Sequence, residues 1–444
     1  MVKALKTVNY RLLAAVFATM LLPTIYQTVR ICFLGDLPSD EGINIASQLS
    51  WVNLFYEIVQ EALILPLFFL LGKSLTDKAE FANKVRTGFT VTAGIYLIIS
   101  VVIIACAKPL VVLMAQDESL IRATIDYVRL ETVAALFSAL WRFMSLVLIT
   151  LKKDSYMYII LGVQMFLSVL LDTFLVSTLS VSANVGVNGI AVTNIVVNLV
   201  ISATACVLLA RENIRLFAKT RWNFDWLKEW FKVGKFSALE SLLRNLVFMV
   251  MIVRMVNLVS EQGNYWIANT FIWQWLLLPS LALADVVKKE IAENRENICR
   301  KTFGYLCLTG IFALLWLATI PLWKPFLHYV MNISEYQTVF RIVLSQTAFY
   351  MLFLFNNCIF DSTFYGLGKT QYMLIQSVCI DGVYYGIMFI LYLTDVFVPN
   401  LPGICLMFGC GMALDFIPSI ILYIRMLKRE NLKIDFRLES SAQS

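Results

Sequence analysis

The chain has 444 residues, of which 59% are hydrophobic and 15% are charged, and its formal net charge is +6. An average soluble domain has about a quarter charged residues, so this composition excludes an ordinary water-soluble enzyme. Abundant large apolar residues exclude a disordered chain. The apolar runs are long and unbroken, whereas a transmembrane barrel has short alternating segments. We therefore predict an all-α integral membrane protein.

Twelve apolar runs predict twelve transmembrane helices, because a helix needs about 20 mostly apolar residues to cross a bilayer. The predicted spans are residues 12–34, 45–72, 87–107, 130–151, 156–179, 187–210, 231–259, 266–285, 302–323, 339–366, 372–394 and 400–426. The first run is too long for the core of a signal peptide, and no small-residue cleavage site follows it. We interpret it as a retained span.

The basic residues predict the orientation. Most of the 36 Lys and Arg residues lie in the terminal segments and in the loops after even-numbered spans. The densest clusters are Lys73, Lys78, Lys84 and Arg86; Arg211, Arg215, Lys219 and Arg221; and Lys288, Lys289, Arg295, Arg300 and Lys301. The positive-inside rule then places both termini in the cytoplasm. We expect a multi-pass protein of the plasma (inner) membrane. The excess of positive charge then faces the lipid bilayer at the cytoplasmic side, and we expect no nucleic-acid partner.

An internal repeat predicts two lobes. Two short patterns each occur twice, and the same number of residues, close to half the chain length, separates the two copies in both cases. Lys108-Pro109 recurs as Lys324-Pro325, and Lys-x-x-Tyr-Met at 153–157 recurs at 369–373. We predict an N-lobe of spans 1–6 in residues 1–215 and a C-lobe of spans 7–12 in residues 216–444, with a short cytoplasmic tail. Because each lobe has an even number of spans, both lobes enter the membrane from the same side, and the repeat is parallel.

The stretch at about 211–228 is the predicted cytoplasmic linker between the lobes. Its Trp residues, Trp222 and Trp226, are followed at the same spacing by Trp230. A spacing of four indicates an amphipathic helix, which we expect to lie at the membrane interface.

Four local patterns stand out along the chain: VRICFLG at 29–35, SVLLD at 168–172, GVNGIA at 186–191 and GLGKT at 366–370. Together they resemble the multidrug and toxic compound extrusion (MATE) family of the wider multidrug/oligosaccharidyl-lipid/polysaccharide (MOP) exporter superfamily. The number of spans, the repeat and the loop lengths also resemble that family over almost the whole chain. The resemblance implies a V-shaped pair of lobes that exports organic compounds in exchange for Na⁺ or H⁺.

The chain departs from the family pattern where the resemblance places cation sites. Arg30 stands where the first helix usually has Asp, and Ser168 where the fifth usually has Asn, while Asp172 is retained. In helix seven the position of the usual Glu is Arg244, with Glu240 one turn earlier.

In helix ten the position of the usual acid falls near Leu354, with Asp361 about two turns later. The second helix, which is usually rich in Gly, carries Glu57 and Glu61 instead. The standard cation sites of the family therefore do not transfer directly to this chain.

Ionisable side chains inside the membrane are the candidate functional residues. Each costs at least roughly 2.5–3.5 kcal/mol in hydrocarbon, so such groups usually pair or line a pathway. The candidates for binding a coupling cation or proton are Asp172, Glu57, Glu61, Glu240 and Asp361. Glu57 and Glu61 lie at i,i+4 on one helix face, where mutual repulsion suits them to bind and release a proton. The alternative is that they form a solvated wall.

Two arginines are candidate internal cations. We hypothesise that Arg30 reaches Asp172 and stands where the family would place a bound Na⁺ or proton, which would move the coupling site elsewhere. Arg244 is at i,i+4 from Glu240, the favourable orientation for an ion pair. In the alternative interpretation, both pairs only hold helices together.

Aromatic and polar side chains are the candidates for a substrate cleft. We select Tyr26, Gln27, Ser168, Trp273 and Trp275. Flat rings bind organic cations through cation–π contacts. Aromatic residues are also common at lipid-facing positions, which is the competing interpretation.

These features predict a secondary active antiporter that exports amphipathic, often cationic, organic compounds or drugs by alternating access. The alternative is a flippase or exporter of a lipid-linked saccharide or another anionic amphiphile, because the interior Arg residues suit phosphate. The sequence has no metal or nucleophile constellation and no nucleotide-binding loop, so we expect neither an enzyme nor an ATP-driven pump. We expect a monomer whose partners are a small organic substrate and a coupling ion, Na⁺ or H⁺, with no other cofactor.

Overall fold

The structure, a computed structural model, describes residues 2–37, 41–75, 77–151, 153–217 and 222–434. Within these ranges the chain forms helices and no strand, so the predicted all-α fold is confirmed. Lys219 and Arg221 of the predicted basic cluster, and residues 435–444 of the predicted tail, lie outside the described residues.

Twelve long helical rods, α1 to α12, correspond in order to the twelve predicted spans. The first six are α1 (Tyr10–Gly35), α2 (Leu49–Lys73), α3 (Lys78–Ala105), α4 (Ile121–Thr150), α5 (Asp154–Leu175) and α6 (Val187–Arg211). Two later rods are helices without an interruption: α9 (Asn297–Ala318) and α12 (Leu401–Arg429). The rod α10 (Tyr336–Phe355 and Ser362–Gly366) contains a π-helical turn at Asn356–Asp361.

The other three rods also contain a π-helical turn. They are α7 (Leu227–Val247, π-turn Phe248–Val253, Arg254–Leu258), α8 (Gln262–Phe271, π-turn Ile272–Leu276, Leu278–Glu293) and α11 (Thr370–Ser377, π-turn Val378–Tyr384, Tyr385–Leu393). Shorter helices are Val2–Leu5, Glu41–Ser47, Ala107–Leu113 and Ile320–Pro325, the last followed by a π-turn at Phe326–Val330.

The helices have the length and composition of membrane spans. Nine of the described helices are long and apolar enough to cross a bilayer alone, and α8, which bends by 56°, could make a tenth. The rods α2 and α7 are outside that set and carry charged residues near their centres. The fold is therefore that of a multi-pass membrane protein with ionisable groups inside several of its rods, α2 and α7 among them.

Packing divides the chain into two compact units. The central unit is Thr28–Gly263, and the terminal unit joins Met1–Gln27 to Asn264–Ser444. The boundary falls after α7 because α7 packs on α2. The predicted lobes, 1–215 and 216–444, follow the sequence repeat and not this packing, and they remain a prediction.

In the central unit, α7 lies antiparallel along α2. Near one end, Trp230 Nε1 donates to the Leu63 carbonyl oxygen at 2.8 Å. Near the other, Gln48 Nε2 donates to Asn257 Oδ1 at 2.8 Å. Between them the backbones approach so closely that a Cβ on Gly234 would lie 2.2 Å from the Ala62 carbonyl oxygen.

Two of the three Trp residues around the start of α7 pack against the central unit. Trp226 and Trp230 stack with ring centroids 5.0 Å apart. Trp226 Nε1 also donates to Thr87 Oγ1 at 3.0 Å, and Trp230 is fully buried. The helix begins at Leu227, so the predicted amphipathic helix through all three Trp residues is wrong for Trp222 and Trp226. The location of this segment at the membrane interface remains a prediction. Trp222 is exposed.

Replacing Gly234 with Ala should destabilise the protein. The added methyl group would collide with the Ala62 carbonyl oxygen, and overpacking of this kind costs about 1–3 kcal/mol. The measurement is the melting temperature of the purified protein in detergent. Gly162→Ala is the control, because a Cβ there meets nothing within 4 Å and alanine favours a helix. Equal melting temperatures for Gly234→Ala and wild type would contradict the close approach.

The terminal unit has its own core. Aromatic rings from α10, α11 and α12 pack together, with Phe360 4.9 Å and Phe364 6.2 Å from Tyr423. Phe364 also lies 5.1 Å from Tyr372. These contacts fix the three helices that surround Asp361.

Candidate functional site

Arg30 on α1 and Asp172 on α5 form a buried ion pair in the central unit. Arg30 Nε donates to Asp172 Oδ2 at 2.8 Å, and Nη2 lies 3.4 Å from Oδ1. The side chains are only 9% and 2% exposed. Ser168, one turn before Asp172, is also buried. The predicted contact is present, while its role in transport remains a prediction.

The first turn of α6 packs closely against the end of α5 and helps to hold α5 in this position. A Cβ on Gly189 would lie 2.9 Å from the Leu175 carbonyl oxygen, at the end of α5. Only a residue without a side chain fits there, which explains why the GVNGIA pattern has glycine at this position. The pattern therefore positions the end of the helix that carries Asp172.

Glu131 on α4 lies beside this pair and was absent from the predicted site residues. It is 3% exposed. Asn194 Nδ2 on α6 donates to Glu131 Oε1 at 2.8 Å. Tyr127, Arg30 and Asp172 lie near the Glu131 carboxylate. Two buried carboxylates therefore lie in the neighbourhood of the Arg30 guanidinium, which pairs with Asp172.

Glu131 also faces a polar cavity of about 200 Å³ within the central unit, which we call the Glu131 cavity. Arg142 lines its other end, and Arg142 Nη1 bonds to the Gln60 side-chain oxygen. Five carboxamide side chains line the walls: Asn53, Gln60, Gln164, Asn194 and Asn198. Two stacked rings, Tyr56 and Tyr96, 5.8 Å apart, complete the lining. The cavity can thus hold water or a small hydrogen-bonding group.

A second charged group, which we call the Arg244 cluster, links α7 to α2. Arg244 Nη1 bonds to Glu240 Oε1 at 2.8 Å. Its Nη2 bonds to Glu61 Oε1 at 2.7 Å and to Glu57 Oε1 at 3.2 Å. The predicted Glu240–Arg244 pair is present, and Glu57 and Glu61 share one face as predicted. Sequence reasoning missed that one arginine joins all three carboxylates.

The candidates in the terminal unit have partners within that unit. Asp361 accepts a hydrogen bond from Gln376 Nε2 at 3.2 Å. Trp273 Nε1 donates to the Tyr350 hydroxyl at 3.1 Å, and Trp275 packs on Phe326 with centroids 5.0 Å apart. Both indoles are half-buried. These contacts hold the rings in place, and their predicted role in a substrate cleft is untested.

Tyr26 and Gln27 are half-buried on α1, one turn before Arg30. They are the last residues of the N-terminal segment that packs in the terminal unit. Their proposed contact with substrate also remains a prediction.

Comparison with known proteins identifies the fold. No protein-family model matches the sequence, and no curated protein matches it. Solved structures do match. The inward-facing conformation of a multidrug resistance MATE family transporter of the MOP superfamily has 16% sequence identity and a TM-score of 0.74, covering 92% of this chain and 95% of its own. The outward-facing conformation of a multidrug resistance MATE family transporter of the MOP superfamily has 16% sequence identity and a TM-score of 0.65. This match covers 97% of this chain and 98% of the other chain.

A third match is a MOP superfamily transporter from Pyrococcus furiosus Vc1, described as having a binding pocket of reversed polarity that suggests a different function. It has 17% identity and a TM-score of 0.63, and covers 94% of this chain and 96% of its own. This chain therefore has the fold of the MATE transporters of the MOP superfamily. The expectation from the local motifs is confirmed at the level of the fold.

Proposed function

We propose that the protein is a secondary active transporter that exports amphipathic organic compounds, preferably cations, in exchange for H⁺ or Na⁺. The fold is consistent with alternating access, and the matched MATE structures are of multidrug resistance transporters. The observation that carries the proposal is the Arg244 cluster, in which three carboxylates share one guanidinium. We place the protein in the plasma membrane as a monomer with both termini in the cytoplasm.

The charge of the Arg244 cluster favours a further cation. With every group ionised, three carboxylates and one guanidinium carry a net charge of two negative units. At an effective dielectric constant of about 20, two like charges about 4 Å apart repel by roughly 4 kcal/mol. A proton, a metal cation or an organic cation bound there relieves this repulsion.

Access to the cluster suits an organic cation. The side chain of Glu57 is 43% exposed and that of Arg244 is 36% exposed, whereas Glu240 is nearly buried. A ligand can therefore approach Glu57 without dismantling the Glu240–Arg244 pair. If the organic cation and the coupling cation compete for the same carboxylates, binding of one releases the other, which is what exchange requires.

We assign Arg30 the role of a tethered cation. It occupies the position where the MATE resemblance would place a bound Na⁺ or proton, and its contact with Asp172 supports this role. In this role Asp172 stays paired with Arg30 and does not exchange a cation during transport. Asp361 remains a candidate for a coupling carboxylate in the terminal unit.

Ethidium export by cells that lack their own exporters tests the proposal. Expression of the wild-type protein should lower ethidium accumulation, and the double variant Glu57→Gln/Glu61→Gln should return accumulation to the level of cells without it. Glu296→Gln is the matched control, because it removes a carboxylate from an exposed pair with Arg300. If the wild-type protein leaves the accumulation of every cationic dye unchanged, export of organic cations is wrong.

A second candidate function is export or flipping of an anionic amphiphile. It is favoured by Arg142, whose guanidinium lines a cavity rich in amide groups and suits phosphate or sulfate. The Pyrococcus furiosus transporter with a pocket of reversed polarity is consistent with such a variation within one fold. Rescue of a lipid-flipping defect, together with no effect on cationic dyes, would favour this function over the first.

A further inference from the structure

The Glu131 cavity follows one face of α4. Glu131 and Arg142 lie eleven residues apart on this helix, which corresponds to about 16 Å at 1.5 Å per residue. The residues between them on the same face are small: Ala134, Ala135, Ser138 and Ala139. Small side chains leave the space that the cavity fills. Its two ends are therefore a buried carboxylate and an exposed guanidinium.

The cavity is polar and large enough to hold several water molecules, since its volume is about 200 Å³. The carboxamide and hydroxyl groups of its walls can hydrogen-bond water between Glu131 and Arg142.

The groups around Glu131 suit a proton better than a metal ion. Asn194 Nδ2 donates a hydrogen bond to the carboxylate at 2.8 Å. A metal ion requires oxygen lone pairs instead, as Na⁺, Mg²⁺ and Ca²⁺ sites do. Protonation of the Glu131 carboxylate needs only one oxygen lone pair and a path for the proton.

The charges facing Glu131 leave one negative charge in excess. Arg30 on α1 is bound to Asp172 on α5 at 2.8 Å, so its positive charge is shared by two buried carboxylates. Tyr127 on α4 is the other titratable contact. From α2 and α3, Tyr56 and Tyr96 line the cavity, and Arg142 stands at its far end. Binding of one proton to Glu131 would neutralise the group.

We propose that Glu131 is a proton-binding residue of the central unit, reached by water through the Glu131 cavity from the end marked by Arg142. The proposal rests on the proposed cation-coupled export and names the proton as a coupling ion. Arg30 and Asp172 provide a fixed pair beside the titrating group. Glu131 takes up and gives back its proton at a carboxylate oxygen, and water in the cavity carries it.

Proton flux in proteoliposomes tests the assignment. The full-length protein is reconstituted, vesicles are loaded with ethidium, and both dye release and internal pH are followed after an imposed pH gradient. Glu131→Gln should abolish proton movement coupled to ethidium and make ethidium release independent of the pH gradient. Exchange of ethidium between the two sides without a gradient should persist. Asp126→Asn, an exposed carboxylate on the same helix, is the control and should behave like wild type.

A second variant tests the water path through the Glu131 cavity separately from Glu131 itself. Ser138→Leu fills the cavity without touching Glu131 and should slow proton movement while leaving gradient-free ethidium exchange intact. Glu131→Asp, which keeps a carboxylic acid, should retain part of the coupled flux and guards against misfolding of the Gln variant. If Glu131→Gln keeps wild-type proton flux, the assignment is wrong while the proposed function stands. If the wild-type protein moves neither ethidium nor protons, the proposed function itself is wrong.

Discussion

Replacing Arg30 with methionine should be among the most destabilising single changes in the chain. The change leaves the Asp172 carboxylate, 2% exposed, without the guanidinium that lies 2.8 Å away. Breaking a buried ion pair by removing one partner typically costs about 3–5 kcal/mol. The melting temperature of the purified protein in detergent should fall sharply, and export should be lost with it.

A double-mutant cycle separates the pair from its individual residues. Asp172→Leu alone leaves Arg30 beside Glu131, so its cost should be smaller than that of Arg30→Met. The double variant Arg30→Met/Asp172→Leu should recover much of the lost stability, because neither charge is then buried without the other. Additive losses in the double variant would show that the two side chains do not stabilise each other.

Arg30→Asp asks whether Arg30 acts as a tethered cation. The variant places a second carboxylate beside Asp172, and the MATE resemblance implies that such a site binds Na⁺ or a proton. The ion dependence of export by Arg30→Asp should therefore differ from that of wild type and resemble that of the family. Unchanged ion dependence in a folded variant would contradict the tethered-cation role.

Replacing Arg244 with leucine should have the second largest effect. Glu57, Glu61 and Glu240 would lose the guanidinium that contacts all three at 2.7 to 3.2 Å. The cost in stability should be about 2 kcal/mol, less than for Arg30, because the side chains of the Arg244 cluster are only partly buried. Ethidium export should be abolished.

Two further variants test whether the unneutralised carboxylate charge causes the loss of stability in Arg244→Leu. Adding Glu57→Gln and Glu61→Gln to Arg244→Leu removes the repulsion and should restore the melting temperature but not export. Arg300→Leu breaks only an exposed pair with Glu296 and should change neither quantity measurably. If Arg244→Leu has the stability and export of wild type, the cluster has no role in either.

Most of the fold was predictable because membrane helices are dictated by length and apolarity. The twelve predicted spans each match one rod, although several rods extend well beyond the apolar run. For α4 the run begins at residue 130, whereas the helix begins at Ile121. Solvent-exposed helical turns carry polar residues, so hydrophobicity alone does not reveal them.

That boundary explains why Glu131 was missed. In the predicted span it stands at the edge, where a carboxylate is unremarkable. In the structure it lies ten residues into α4, buried against Asn194 of α6. The signal that could have found it is the face shared with Ala135, Ser138 and Arg142, an acidic and a basic residue separated by small side chains at helical spacing.

Pairing of charges was predictable where helical spacing or the cost of burial required it. Glu240 and Arg244 follow i,i+4 spacing, and Arg30 needed an acidic partner in hydrocarbon. The contact of Arg244 with Glu57 and Glu61 was not predictable, because sequence alone does not reveal that α7 lies along α2. That contact depends on the close approach of α7 to α2 at Gly234, and a single glycine in the sequence does not predict such an approach.

The most direct test of the account is ethidium release from proteoliposomes under H⁺ and Na⁺ gradients imposed separately. Vesicles loaded with ethidium should release it faster when the outside is more acidic than the inside, and protons should enter as the dye leaves. A Na⁺ gradient at equal pH should have no such effect. Release at the same rate with and without either gradient would contradict secondary active transport by this protein.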